Sequence, residues 1–587
     1  QTTFRNMIHV YLDSMNMCWS KLGIDILLGS PTDKKVNIPD KTIKVLEDVI
    51  LCTLQGEHPN DPFNALILAA SFTQREVHLV RTYAEYMQQI KYAYGQNFIA
   101  RALAEFPKIA ALLLRFFQSR FDPKINDFDS DKEGLKNKEQ RCQSFTQSFE
   151  TLLKKVSSAE QDQLFRDMKT LIEATVRTNF YLGKSYVSLK FESGAIDRLP
   201  DPKPQFEVFV SSYLMQGIHL RSSKIARGGI RYSERPQDFR TEVLQLMQAQ
   251  NLKNAIIVPT GAKGGFTLKK RCSSKDDVLE AYQIFLRGLL DITDNRIGDS
   301  IVHPPKLRIY DGYDPYLVVA ADKGTASFSD RANALSEEYA FWLHDAFASG
   351  GSHGYDHKKL GITAKGAFVS VKHHLSKLGV DVERDPVTVV GIGDMSGDVF
   401  GNGMLLHNTF KLIAAFNHKH IFIDPHPHPQ ESFEERQRLF HRPSSSWDDY
   451  SMRVLSKGGA VYNRSEKALK LSSEAQKLFN LPSVVSPHHL IKALLTQPCD
   501  LLWFGGIGTY VKASDEVYSG DPSNDVLRVN AMDVRARVIG EGANLGITPL
   551  ARIELGLKGV HLNSDAIDNV GGVNCSDREV NLKILLS

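Results

Sequence analysis

The chain of 587 residues is long enough for about three or four domains of ordinary size. Its 71 Lys and Arg residues nearly balance its 68 Asp and Glu residues, and a net charge of +3 gives no sign of a surface for nucleic acid or an anionic membrane. Hydrophobic residues make up 42% of the chain and charged residues 24%, which excludes a wholly disordered or fibrous protein.

The six cysteines lie far apart, and no two of them form a C-x-x-C pair. We therefore expect neither a thiolate zinc site nor a dithiol redox motif, and we predict reduced thiols in a cytoplasmic protein. The sequence contains no run of about 18 apolar residues, so no membrane span is expected. It starts with Gln1 inside a helix-like pattern, which suggests a fragment of a longer chain.

The hydrophobic periodicity changes twice along the chain and predicts three regions. Residues 1–178 repeat apolar side chains at helical spacing, which predicts a helical N-terminal region for support or oligomerisation. From 179 to 384, strand-like segments such as 186–191 alternate with helical ones, which predicts an α/β substrate domain. Residues 385–587 open with a buried strand and a glycine-rich turn, which predicts a Rossmann-type dinucleotide-binding domain. The predicted fold class is therefore α/β.

The glycine-rich turn supplies five predicted cofactor-binding residues: Gly391, Gly393, Asp394, Ser396 and Gly397. The first glycine permits a tight turn, the second lets the backbone approach a pyrophosphate, and Ser396 fills the third, small position. A helix predicted over 399–415 and a strand predicted over 420–423 would complete a β-α-β unit. The phosphates would then lie on backbone N–H groups at the start of that helix.

Asp424 ends the predicted second strand, 27 residues after Gly397. A carboxylate there can accept hydrogen bonds from the ribose hydroxyls and would repel a 2′-phosphate, which favours NAD over NADP. A surface aspartate beside a helix-packing glycine turn is the alternative. His426 and His428 lie in a proline-rich stretch without a third ligand at helical spacing, so we interpret them as loop histidines and predict no metal site.

A lysine lies among three glycines in the stretch from residue 219 to residue 267, where candidate functional residues are densest. Lys263 is flanked by Gly261, Gly264 and Gly265, which let the chain and a substrate approach closely. A lysine desolvated in such a pocket has a lowered pKa and can act as a base. A lysine in a solvated surface turn is the alternative that the local sequence leaves open.

A colinear set of motifs lies between residues 227 and 581, and the likeness that they carry covers most of the chain from residue 60 to residue 587. In chain order the motifs are RGGIRYS, LKNA, PTGAKGGF, VVAADKGTA, VTVVGIGDMSGDVFGNG, FIDPHPHP, SSWDDY, SKGGAVYNRS, DLLWFGGIGTYVKAS, VIGEGANLGIT and NSDAIDNVGGVNCSDREVN. Together they resemble the glutamate dehydrogenase superfamily, and most closely its large NAD-specific branch. The resemblance implies NAD-dependent, reversible oxidation of L-glutamate to 2-oxoglutarate and ammonium, and we expect a homo-oligomer that binds neither nucleic acid nor membrane.

The resemblance also implies roles for individual residues. Lys263 matches the catalytic lysine of the family, and Asp322 matches the carboxylate that relays protons. Lys253 matches the lysine that holds the substrate α-carboxylate, and Ser576 matches the serine near the side-chain carboxylate. Arg227 stands where the smaller enzymes carry a lysine, and an arginine can hold a carboxylate bidentately.

Two further matches concern the cofactor: Thr363 resembles the threonine of the cofactor cleft, and Asn544 resembles the asparagine near the nicotinamide. In the implied reaction, Lys263 and Asp322 hold the substrate amine deprotonated, hydride passes from Cα to the nicotinamide, and Lys263 then activates water to attack the imine.

Three alternatives stay open at this point. The side-chain carboxylate could be held by Lys224, Arg231 or Ser576 instead of Arg227. The same chemistry could act on an apolar amino acid, whose pocket would want apolar residues in place of the cation and the serine. A non-catalytic nucleotide-sensing module would have lost Lys263 or Asp322, and the sequence keeps both.

Overall fold

The computed structural model groups the described residues into two compact units. Described are residues 40–54, 58–125, 144–199, 201, 203–254, 260–269, 274–322, 324–325, 327–443, 445–506, 508–517, 522–543 and 545–587, without the side chains of 40–43, 47, 54, 249–254, 321 and 522–523. The first unit takes its residues from Gln1–Met247 and Thr260–Phe347, and the second from Gln248–Pro259 and Ala348–Ser587. No helix in these described stretches is long and apolar enough to cross a membrane.

The first unit combines a helical N-terminal part with one mixed sheet. Its helices are α1 (Asp40–Leu54), α2 (Leu66–Ala69), α3 (Gln74–Gln89), α4 (Gln96–Glu105), α5 (Pro107–Phe121), α6 (144–153), α7 (Ala159–Ala174), α8 (Phe239–Asn254, which runs into the second unit), α9 (Lys275–Leu290) and α10 (Ser329–Glu338). Its strands are β1 (Thr175–Thr178), β2 (Val187–Glu192), β3 (Phe206–Ser211), β4 (Met215–Arg221), β5 (Arg227–Tyr232), β6 (Ala262–Leu268), β7 (Asn295–Ile297), β8 (Ser300–Val302) and β9 (Val318–Ala321).

Local sequence signals start several of these helices. Thr73 and Glu76 form a capping box at the start of α3, and Ser274 and Asp277 form another at the start of α9. Such reciprocal caps satisfy backbone N–H groups that a helix start leaves unpaired. The helices then bury their apolar faces in one core, in which the ring of Tyr86 from α3 stacks on Phe191 of β2.

The sheet of the first unit has the order β1-β2-β3-β4-β6-β5-β9. The strands β1 to β4 and β6 pair antiparallel, whereas β5 is parallel to both β6 and β9. Glycines let helices pack closely on both faces: a Cβ on Gly265 would collide with Val243 of α8, and one on Gly217 with Phe285 of α9. The sheet is therefore held between helices.

The second unit is built on a six-stranded sheet. Its helices are α11 (His357–Leu360), α12 (Ile362–Lys377), α13 (Asp398–Met404), α14 (Pro429–His441), α15 (Ser473–Phe479), α16 (Pro487–Leu495), α17 (Pro549–Leu557), α18 (Asp565–Asp568) and α19 (Val570–Leu586). Its strands are β10 (Val387–Ile392), β11 (Phe410–Phe416), β12 (His420–Ile423), β13 (Ala460–Asn463), β14 (Leu469–Lys470), β15 (Val484–Val485), β16 (Cys499–Phe504), β17 (Val511–Lys512), β18 (Val529–Asn530) and β19 (Ala536–Glu541).

The order of this sheet is β13-β12-β11-β10-β16-β19. The four strands β11, β10, β16 and β19 run parallel, and β12 turns back antiparallel to β11. After β10 the chain first adds β11 on one side and later β16 on the other, so the strand order reverses at β10. This reversal is the point at which open α/β sheets bind ligands.

The predicted α/β class and helical N-terminal region are confirmed, and the region boundaries after residues 178 and 384 stay predictions. The helix predicted over 399–415 is wrong, because α13 ends at Met404 and Phe410–Phe416 forms β11. The run FKLIAAF is almost entirely buried, and a short, continuously apolar strand cannot be told from a buried helix by periodicity.

Candidate active site

Two strands of the first sheet bring Lys263 and Asp322 together. Strand β5 pairs in parallel with β6 on one side and β9 on the other, and Ile230 is in register with Gly264 and with Ala321. Lys263 is the neighbour of Gly264, and Asp322 is the neighbour of Ala321. Because successive side chains along a strand point to opposite faces, Lys263 and Asp322 both lie on the face opposite to Ile230. The Lys263 ammonium forms an ion pair with Oδ2 of Asp322.

Arg231 holds the other oxygen of that carboxylate. Its Nη2 donates to Oδ1 of Asp322 at 3.2 Å, and its Nη1 donates to Oε1 of Glu242 on α8 at 3.0 Å. The Ser233 hydroxyl donates to the second Glu242 oxygen at 2.7 Å. Arg231 is buried, so a chain of alternating charges runs between helix and sheet and ends at Lys263.

Burial changes the acid–base character of Lys263, which is 8% exposed. Burial is the largest influence on its pKa and lowers it, the Asp322 charge raises it, and the Arg231 charge lowers it further. The net result is a pKa below that of an ordinary lysine, so more of the free amine exists at neutral pH. Lys263 belongs to strand β6, and the alternative of a lysine in a solvated turn is wrong.

Arg227 lies on the same face of the sheet as Lys263. It is the first residue of β5 and is buried. An isolated parallel bridge joins it to Gly261, two residues before Lys263, which separates the two side chains by about 7 Å along the strand. Lys224, the alternative anchor, instead donates to two backbone carbonyls of the loop before β9, at 2.5 and 3.1 Å.

The glycine-rich turn lies at the C-terminal end of β10. Cβ atoms on Gly391 or Gly393 would collide with the Phe400 ring, and Gly393 has a φ of +137°, which residues with a side chain rarely adopt. The buried indole N–H of Trp447 donates to the Gly393 carbonyl at 2.9 Å. A Cβ on Gly506, which follows β16, would lie 3.4 Å from Cα of Gly393. The Trp447 indole therefore supports the turn, and the backbone of Gly393 and Gly506 meets there without side chains.

Asp394 closes this turn with its side chain. Its Oδ1 accepts hydrogen bonds from the N–H and the hydroxyl of Ser396 at 3.0 and 2.5 Å. Its Oδ2 accepts one from Nδ2 of Asn417 at 2.8 Å. The N–H of Gly397, the residue that caps α13, donates to the Asp394 carbonyl at 3.2 Å.

Asp424 lies away from the turn. It follows β12, which runs antiparallel to β11, and its N–H donates at 2.9 Å to Ile413 in the middle of β11. Its side chain is fully buried, accepts hydrogen bonds from the N–H and hydroxyl of Ser456, and has a pKa raised by burial. The placement of Asp424 at the end of the second parallel strand is therefore wrong, and Asn417 occupies that position.

Two other predicted residues lie on helices of the second unit. The Ser576 hydroxyl, on α19, donates to Oγ of Ser349 at 3.0 Å. Thr363 lies on α12, where a Cβ on Gly572 of α19 would collide with its hydroxyl. Helices α12 and α19 therefore pack closely where Thr363 meets Gly572.

The side chain of Lys253 and the whole of Asn544 lie outside the described residues, and their roles stay predictions. The backbone of Lys253 belongs to α8. Within the described stretches, no group of three or more His, Cys, Asp and Glu side chains is arranged to hold a metal ion.

Comparison with known proteins identifies the family. Residues 148–587 match the family described as Bacterial NAD-glutamate dehydrogenase, catalytic domain. The chain belongs to this family. Residues 58–123 also match Glutamate dehydrogenase, helical motif 3. The resemblance drawn from the sequence motifs to the large NAD-specific glutamate dehydrogenases is confirmed.

Curated relatives include the NAD-specific glutamate dehydrogenases of Halomonas elongata and Pseudomonas aeruginosa. Each is 49% identical to this chain, over 546 and 559 residues that cover 90% and 93% of it. The matches cover 33% and 34% of those relatives, so the chain spans about a third of their length. Among solved structures, glutamate dehydrogenase of Plasmodium falciparum matches with a TM-score of 0.41 and 14% identity, over 88% of this chain and 84% of that one.

Sequence reasoning missed three residues that support the lysine site and the glycine-rich turn. Glu242 binds Arg231 from a helix, Asn417 binds Asp394 from a strand end, and Trp447 binds the Gly393 carbonyl. Only Trp447 had a signal, because it belongs to the SSWDDY motif. The other two act through partners that are distant in sequence, which no local pattern reveals.

Proposed function

We propose that the protein catalyses NAD-dependent oxidative deamination of L-glutamate to 2-oxoglutarate and ammonium. The buried pair of Lys263 and Asp322 carries the proposal, because a lysine of lowered pKa beside a carboxylate can take up and return the protons that this reaction moves. The names of the relatives, which are NAD-specific glutamate dehydrogenases, support the same substrate and cofactor.

The glycine-rich turn fits a dinucleotide. The backbone of Gly393 and Gly506 is bare at the strand-order reversal, where a side chain would block a pyrophosphate. Asp394, Ser396 and Gly397 form the rim of the same turn. NAD, when bound, takes the hydride from the substrate Cα. Thr363 and Asn544 are proposed neighbours of the cofactor from the family resemblance alone.

Asp322 and Lys263 would handle the protons. In the oxidative direction, the Asp322 carboxylate takes a proton from the substrate ammonium, and the free amine then stabilises the loss of hydride from Cα. Water attacks the resulting imine while Nζ of Lys263 removes a proton from that water. The protons return to the nitrogen through Asp322, ammonia leaves, and 2-oxoglutarate remains. One water is consumed for each hydride lost, and the same groups serve the reverse reaction.

Arg227 would bind the side-chain carboxylate of glutamate. Its buried guanidinium lies on the face of the sheet that carries Lys263, and it can donate two parallel hydrogen bonds to a carboxylate. Arg231 is committed to Asp322 and Glu242, which argues against it as the anchor. Lys253 for the α-carboxylate and Ser576 for the side-chain carboxylate are proposed from the resemblance.

The two alternatives are less well supported. A pocket for an apolar amino acid would want apolar residues where Arg227 lies on the face of the sheet that carries Lys263. A module without catalytic activity would have no use for the closely paired Lys263 and Asp322. Homo-oligomer formation and a cytoplasmic location stay predictions from the sequence.

A direct assay tests the proposal: NADH oxidation with 2-oxoglutarate and ammonium, compared with NADPH and with other 2-oxo acids. Lys263→Met, which keeps the side-chain volume, should remove turnover and leave NADH binding near the wild-type value. The matched control is Lys275→Met on the exposed start of α9, which should change neither. Turnover of Lys263→Met above about a tenth of wild type would contradict the assigned role, because loss of an acid–base group typically costs a factor of about 100 or more.

A further inference from the structure

We propose that the Asp394 carboxylate, which belongs to the glycine-rich turn itself, is the charge that makes this chain prefer NAD over NADP. The inference rests on the proposed function, since it concerns how the proposed dinucleotide is selected. It starts from the residue at the end of β11. In dinucleotide-binding folds, the residue that ends the second parallel strand meets the adenosine ribose, and an acid there disfavours a 2′-phosphate.

That strand-end position holds a neutral residue in this chain. Strand β11 ends at Phe416, and Asn417 follows it, 20 residues after Gly397. Oδ1 of Asn417 accepts the backbone N–H groups of Lys419 and His420 at 2.8 and 2.7 Å. Its carbonyl oxygen is thus occupied by the tight turn between β11 and β12, and an amide carries no charge with which to repel a phosphate.

The side-chain nitrogen of Asn417 binds a negatively charged group, the Asp394 carboxylate, next to the end of β11. Its Nδ2 donates to Oδ2 of Asp394 at 2.8 Å, so a carboxylate oxygen lies within one hydrogen bond of the strand end. Ser396 fixes the other oxygen through its N–H and hydroxyl, which leaves the carboxylate one orientation. A fixed carboxylate at this point can accept a ribose hydroxyl, and it repels a phosphate at the 2′ position.

Arg464, a basic residue that also contacts Asn417, makes the discrimination between NAD and NADP depend on the Asp394 charge. Nη1 of Arg464 donates to the backbone carbonyl of Asn417 at 2.5 Å. Arginine is the residue that accommodates a 2′-phosphate in NADP-binding folds. With Asp394 neutralised, the guanidinium of Arg464 would be left to attract the phosphate, so the preference should weaken through tighter NADPH binding.

Asp424 provides a matched control in the same unit. Its backbone N–H binds the carbonyl of Ile413, in the middle of β11 and not at its end, and its carboxylate accepts a hydrogen bond from Ser456. If charge near the dinucleotide decides the preference, only Asp394 should matter.

The test is equilibrium binding of NADH and of NADPH to the full chain, measured through the change in nicotinamide fluorescence. Asp394→Asn should lower the ratio of the NADPH Kd to the NADH Kd by about tenfold or more, mainly through the NADPH Kd, a change of about 1.4 kcal/mol. The double variant Asp394→Asn with Asn417→Asp exchanges the amide and the carboxylate across one hydrogen bond, and it should restore the ratio. Adding Arg464→Met to Asp394→Asn should cancel the gain in NADPH affinity, and Asp424→Asn should leave the ratio unchanged.

An unchanged ratio in Asp394→Asn, an equal weakening of both cofactors that the exchange variant does not repair, or an equal shift in Asp424→Asn would overturn the inference. If Asp394→Asn fails to fold by circular dichroism, Asp394→Ser replaces it, because a hydroxyl can still accept the Ser396 N–H. Failure of the wild-type chain to bind either dinucleotide would instead count against the proposed function, so the two failures are distinct.

Discussion

Glu242 accepts a hydrogen bond from Arg231 across 3.0 Å, and this contact joins helix α8 to the strand in the middle of the parallel part of the sheet. Through it the helix reaches the site, since Arg231 also binds Asp322, the partner of Lys263. Glu242 touches none of the proposed reacting groups. Its effect would be to fix the direction in which the guanidinium holds the Asp322 carboxylate.

Glu242→Gln should therefore lower kcat with little change in the KM for NADH. The amide keeps the shape of the side chain but removes the charge that pairs with Arg231, so the Asp322 carboxylate loses its fixed position. Small misplacements of a reacting group cost up to about a hundredfold in rate, and we expect a loss of about tenfold to a hundredfold in kcat. The control is Glu234→Gln, whose side chain is exposed on the adjoining loop. Parallel losses in both variants would show a general effect of the loop.

The two halves of the Lys263–Asp322 pair could be predicted from sequence to different degrees. Lys263 stood out because glycines flank it, and a bare backbone around a basic residue indicates a close approach. Asp322 was found only through its match to a family motif. Glu242 could not be found, because its partner Arg231 is eleven residues away across a loop and only the folded register brings them together.

The misplaced Asp424 shows a limit of periodicity. The run Phe410–Phe416 is buried on both faces as a strand within the parallel sheet, so it lacks the alternation that marks a half-buried strand. Reading it as the end of a helix moved the second strand of the β-α-β unit by ten residues, to β12. The correct strand end, Asn417, then carried no charge to attract attention.

Arg227→Met tests the anchor of the side-chain carboxylate. Without the cation, a carboxylate in a partly dry site is left unmatched, which should cost about 2–5 kcal/mol of transition-state binding. An apolar 2-oxo acid never needed the cation, so the ratio of kcat/KM for 2-oxoglutarate over 2-oxohexanoate should fall by about 30-fold or more. Arg235→Met is the control, because Arg235 pairs with Asp238 near the surface. Equal losses for both substrates would show that Arg227 binds the α-carboxylate, which both substrates carry, or that it stabilises the sheet around the site.

Arg240 should be important for stability of the first unit. It pairs with the fully buried Glu207 of β3, which also accepts a hydrogen bond from the Tyr86 hydroxyl at 3.0 Å. Arg240→Met would leave the Glu207 charge buried without its partner, which should cost about 3–5 kcal/mol. The measurement is the opening free energy of the β3 amides by native-state hydrogen exchange.

The matched control for Arg240 is again Arg235→Met, whose exposed pair should contribute about 0–1 kcal/mol. The double variant Glu207→Gln with Arg240→Met should recover part of the loss, because it removes the charge that Arg240 compensates. A loss below about 1 kcal/mol in Arg240→Met would contradict the argument, since that is the range of an exposed pair.

The pH dependence of the reaction should reveal the charges around Lys263. The proposed reaction uses its free amine, so the acidic limb of the kcat/KM profile for glutamate should follow the pKa of this lysine. The Asp322 charge raises that pKa and the Arg231 charge lowers it. In the residual activity of the variants, Asp322→Asn should therefore move the limb to lower pH, and Arg231→Gln should move it to higher pH. A neighbouring charge at this range shifts a pKa by about 1–3 units, so both movements should be measurable. If the acidic limb moved in the same direction in both variants, the profile would report another group, and the assignment of Lys263 as the base would be wrong.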